Sequence, residues 1–177
     1  MSMSRSVTWV VLCAGLLTTA CTGGSGGGGD VTVSLGTPAC ENGLIAHRLG
    51  LAGGAVHELV WKPYSAGALA QAAATRSEAL GVAREASKLA AAQLTRAAEL
   101  VRNCPAASVM EEPLRTAASR ASAADEQLAQ GTVNAELLGG LDSAMAGIES
   151  QASSLGMAVV ERTPTRSELA AVAAAPS

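Results

Sequence analysis

Leu138-Gly-Gly-Leu141-Asp-Ser-Ala-Met145-Ala-Gly-Ile148-Glu-Ser-Gln-Ala152-Ser-Ser-Leu155 carries the clearest helical pattern in the chain. Its large apolar positions, Leu138, Leu141, Met145, Ile148, Ala152 and Leu155, advance by alternating steps of three and four. Such steps keep one face of a helix apolar, and their alternation is the seam of helices packed side by side. Thr132 or Asn134 offers an N-cap before the stretch, and Gly156 offers a stop after it.

The segments before it carry the same pattern. A third helix begins at Ser108 or, with Pro113 at its first position, at Glu112, and it ends at Gly131. Its stripe is Leu114, Ala118, Ala121 and Leu128. An alanine-rich helix spans Ala66 to Arg102, stopped by Asn103 and Pro105. A first helix runs from Pro38, with Thr37 as its cap, to Lys62, where Pro63 disfavours further helical geometry. Its buried stripe is Ile45, Leu49, Ala52, Val56 and Leu59. A second stripe holds Gly43, Gly50 and Gly54, each about 1 kcal/mol worse than Ala in a helix. Close approach of another helix is the expected compensation. Residues 38–156 are therefore predicted to form an all-α domain, an antiparallel four-helix bundle, and residues 157–177 a flexible tail.

Composition agrees with packed helices. The 177-residue chain has no Phe and is dominated by Ala, Leu, Ser and Gly, and Ala leads the helix scale. The net charge is −3, without acidic or basic blocks. No basic stripe is present to meet phosphates, so nucleic acid is not an expected partner.

The N-terminus is of another kind. Arg5 precedes an apolar run from Val7 to Ala20, the layout of a secretory signal peptide and too short for a membrane span. The run closes on Leu17-Thr18-Thr19-Ala20-Cys21, followed by Thr22-Gly-Gly-Ser-Gly-Gly-Gly-Gly29. This ending resembles the lipobox of bacterial lipoproteins, with Leu17 one place earlier than the family's usual leucine. The resemblance implies a diacylglycerol on the Cys21 thiol and cleavage by signal peptidase II between Ala20 and Cys21. Residues 1–20 are then the signal peptide and 21–37 the lipidated cysteine and flexible tether. As a Gly/Ser coil, that tether reaches on the order of 20 Å. The implied location is the extracytoplasmic face of the cell membrane, held there by the lipid.

The cysteines divide accordingly. Cys13 leaves with the signal peptide and Cys21 is acylated, so Cys40 and Cys104 remain as a pair in an oxidising compartment, where a disulfide is expected. A length conflict stands in the way. A helix from Ala66 to Arg102 is roughly 55 Å long against roughly 36 Å for the first helix, and would carry Cys104 past Cys40. Thr75-Arg76-Ser77-Glu78 is a capping box, so a break between Gly67 and Thr75 is predicted.

No catalytic residue emerges. There is no Gly-x-Ser-x-Gly elbow, and no glycine-rich loop opens a helix. His47 and His57 lie roughly 15 Å apart along one helix, too far to share an ion, so no metal and no cofactor is expected. The feature that stands out is His57, Trp61 and Tyr64, at steps of four and three on one helix face. They form either a recognition patch or a plug of large rings at one end of an alanine-rich bundle. The functional expectation is a non-enzymatic envelope lipoprotein with a structural or protein-interaction role, its partner an envelope protein or cell-wall component. The alternative is a carrier for a small apolar ligand or lipid.

Overall fold

The computed structural model describes residues 40–70 and 73–174. Ala20, Cys21, the tether to residue 37 and the predicted helix start at Pro38 lie outside the described residues. Among the described residues every regular element is helical and no strand occurs. None of the described helices is long and apolar enough to cross a membrane.

The first helix does not end at Lys62. Helix α1 (Asn42–Val56) passes through a π turn (His57–Trp61) into α2 (Lys62–Ser65), with helical backbone angles at each junction, so the three form one rod. In a regular α-helix Pro63 would lack its donor and its ring would press on the carbonyl four residues back. The wider π turn, in which the Lys62 N–H reaches the His57 carbonyl, changes that register. Pro63 then stands in the first turn of α2, where proline is tolerated.

Gly67, at φ +76°, turns the chain, and a 3₁₀ turn (Ala68–Ala70) follows. This is the predicted break. Helix α3 (Ala73–Arg102) therefore starts late enough for its end to stay level with the start of α1. Cys40 and Cys104 are joined by a disulfide with Cα atoms 5.2 Å apart. The next segment differs from both predicted starts. A 3₁₀ turn (Pro105–Met110) leads into α4 (Glu111–Ala129). Ser108 caps nothing, because its hydroxyl donates to the Pro105 carbonyl at 2.9 Å. Gly131, at φ +71°, closes α4. Helix α5 (Ala135–Ser154) is capped by Asn134, whose side chain accepts from the Leu137 N–H at 3.1 Å.

Helix α3 packs on α1 and α4, and α5 lies against both α4 and α1. The core is largely leucine and alanine. Leu49, Leu94, Leu114 and Leu141 are fully enclosed, and Ala52, Ala90, Ala117 and Ala121 let the backbones approach between them. The predicted seam of α5 is buried from Leu138 to Ala152, with Leu155 half-buried at its end.

The chain after Gly156 does not behave as a frayed tail. Residues 157–165 cross α1 as a strap without helix or strand, and α6 (Arg166–Ala173) packs on α3. Met157, Pro164 and Leu169 are buried. Of the predicted glycine stripe, Gly50 and Gly54 belong to this contact and not to a neighbouring helix, and Gly43 has open space around it. A methyl group on Gly50 would overlap the Val160 carbonyl, and one on Gly54 the Arg162 carbonyl. The strap was illegible as an ordered element because it has no periodicity; its partner is a backbone surface.

Candidate functional site

The π turn sets the geometry of the predicted patch. Trp61 and Tyr64 come together, with ring centroids 5.5 Å apart and planes tilted by 34°. Both are half-buried. The indole rests on the bare backbone of α5 at Gly139, where a Cβ would lie 3.3 Å from two ring carbons. Tyr64 lines a shallow depression of about 320 Å³ with Leu69, Arg76 and Val133, so three segments of the chain converge there. The Arg76 guanidinium is fixed beside it by donating to the Gly131 carbonyl at 2.8 Å.

His57 does not join the rings. Its Nδ1 lies 3.1 Å from Asp142 Oδ1 on α5, and its side chain is nearly half exposed. Hydrogen bonding to Asp142 raises its pKa above the ordinary histidine value, with further help from the charges of Asp142, Glu161 and Glu58. The three predicted residues therefore divide into an aromatic pair and an ion pair, both against α5.

A second group was missed by sequence reasoning. Glu149 of α5 lies over Gly53 of α1, and Glu161 of the strap approaches the same point. Burial and the neighbouring Glu161 carboxylate push the Glu149 carboxyl up to about 7. In sequence Glu149 follows the seam residue Ile148 and reads as an ordinary solvated position. The available signal was Gly53, whose missing side chain makes the space.

At the end of the strap, Arg162 makes a two-pronged contact with Glu168, at 2.9 and 2.6 Å. Thr165 caps α6 in a capping box with that same Glu168. Arg162 first, then the Thr165 backbone N–H, hold the Glu168 carboxyl down at about 2.

Among the described residues, no three His, Cys, Asp or Glu side chains are grouped to hold a metal ion. A depression of about 450 Å³, open to solvent, lies between the start of α1 and the strap, beside His47, Met157 and Arg162. No family model matches the chain, and neither a curated protein nor a solved structure matches it.

Proposed function

We propose that this chain is an exported lipoprotein, acylated at Cys21 and held on the extracytoplasmic face of the cell membrane. Its helical domain, which we read as an antiparallel four-helix bundle with an appended strap, has a non-enzymatic role in contacts within the cell envelope. The Leu17–Cys21 ending supports the anchor, and the Cys40–Cys104 bridge is compatible with an oxidising compartment.

The observation that carries the interaction role is the placement of the aromatic pair. The chain enters the described domain at Cys40, and Trp61 and Tyr64 lie at the far end of the rod from Asn42 to Ser65. At 1.5 Å per residue that rod is about 36 Å long. A half-buried Trp–Tyr pair with an arginine beside it has the composition of an interface core, and it stands away from the tethered end. The partner is accordingly expected to be a protein or wall component and not the lipid surface.

The anchor is tested by metabolic labelling with a clickable fatty acid. Label on the parent chain and none on Cys21→Ala is the expected result. Label that persists in Cys21→Ala, or a parent chain found unacylated in the culture fluid, would overturn the reading.

A further inference from the structure

Three elements meet at Gly53: the α1 rod, helix α5 and the strap. The Glu149 carboxyl occupies the space a methyl on Gly53 would fill, and the Glu161 side chain lies within 3.4 Å of that space. Glu149 Oε1 is buried and has no hydrogen-bond donor. The titratable groups that face it are Glu161 from the strap, Asp142 from α5 and His57 from the rod. Arg162, next to Glu161 in the strap, is committed to Glu168. Two carboxylates are both acceptors, so they hold together only when one keeps a proton.

The strap is seated at its two ends by buried Met157 and Pro164. Its backbone donates one hydrogen bond to α1, from the Arg162 N–H to the Gly50 carbonyl at 3.0 Å. Gly156, at φ +78°, ends α5 and begins the strap, with the Met157 N–H donating to the Ala152 carbonyl at 3.0 Å. We propose that residues 157–165 are a proton-held latch: the strap is docked on the glycine face of α1 while Glu149 and Glu161 share a proton and His57 is charged against Asp142, and it loosens when those protons leave.

The two titrations act in the same direction. Glu149 and His57 both have raised pKa values. A raised value gives stability that is complete below the unfolded pKa and is lost as pH rises through the folded one. For Glu149 this window runs from its ordinary 4.5 to about 7. For His57 it begins at the ordinary 6.5 and extends upward. Across both windows the four-residue group passes from a net charge of −1 to −3, with no cation left inside it. Like-charge repulsion then acts between α5 and the strap.

The test is hydrogen–deuterium exchange of the full chain at about pH 5.5 and about pH 8.5, corrected for the intrinsic exchange rate, with a buried α4 peptide as reference. Protection of the 157–165 peptide should fall by about tenfold beyond any change in the reference, a factor equal to one pKa step and discounted for the partial exposure of Glu149. In Glu149→Gln the amide donates to Glu161 at every pH, and most of that fall should disappear. Glu161→Gln, on the exposed strap, should do the same and serves if the first variant does not fold. Strap protection that follows the reference at both pH values would overturn the latch. So would a folded variant of either kind that retains the parent's pH dependence.

Discussion

The carbonyl oxygen of Gly50, inside α1, accepts a hydrogen bond from the Arg162 N–H of the strap at 3.0 Å. The strap thus brings its backbone directly onto a helix, which is possible only where the helix has no side chain to keep it off. Gly50→Ala and Gly54→Ala should destabilise the domain by about 1–3 kcal/mol, because an added methyl meets backbone carbonyls that must move. Gly81→Ala and Gly147→Ala, in open space on α3 and α5, should instead stabilise it by about 0.5–1 kcal/mol. Urea unfolding of the four variants checks the opposite signs. Equal effects at all four positions would show that the strap contact contributes nothing.

The Cys40–Cys104 bridge closes a loop with a sequence separation of 64. Constraining a loop of that size in the unfolded chain is worth about 2–4 kcal/mol. Reductant should therefore lower the urea midpoint of the parent, and Cys40→Ala/Cys104→Ala should match the reduced parent and be insensitive to reductant. A parent whose midpoint does not respond to reductant would contradict the bridge.

Glu168 supplies the opposite pH dependence to the latch. Its carboxyl is held at about 2 by Arg162 and Thr165, so its contribution is complete above the ordinary 4.5 and is lost as pH falls through the folded value. The pair lies at the surface with Glu168 about a third exposed, so solvent screening limits it to under about 1 kcal/mol. Glu168→Gln should cost a small, measurable part of α6 stability at neutral pH. The difference from the parent should fall to a small remainder near pH 2, where the Glu168 carboxyl is about half protonated; urea unfolding at pH 7 and pH 2 checks it.

Periodicity made the helices legible. Leu138, Leu141, Met145, Ile148 and Ala152 are all buried, because a repeated step depends only on local geometry. The break after Gly67 was legible for another reason: two cysteines cannot be bridged across a helix that overshoots. The π turn was not, since its trace in sequence is a proline inside an otherwise apolar pattern, and that reads as a stop. Nor was the contact of Glu149 with Glu161, which joins residues from different elements over a glycine of a third. For the candidate site, spacing brought Trp61 and Tyr64 together correctly. It could not show that His57 faces Asp142, a partner 85 residues away.

The aromatic pair allows packing and recognition to be separated, because its two rings have different supports. Trp61 lies on the backbone of α5 at Gly139, so Trp61→Ala leaves a void between two helices. For a half-buried ring the loss should be about 1–3 kcal/mol, below the range for a fully buried one. Tyr64 meets Trp61 and the rim around Arg76 and Val133. Tyr64→Ala should therefore cost less and leave the α1–α5 contact in place. If the pair recognises an envelope partner, a membrane pull-down with the lipidated protein should lose that partner in Tyr64→Ala while its unfolding midpoint stays near the parent's. If the same partners come down with Tyr64→Ala and with a folded Trp61→Ala chain, the rings only fill the end of the bundle, and the interaction surface lies elsewhere.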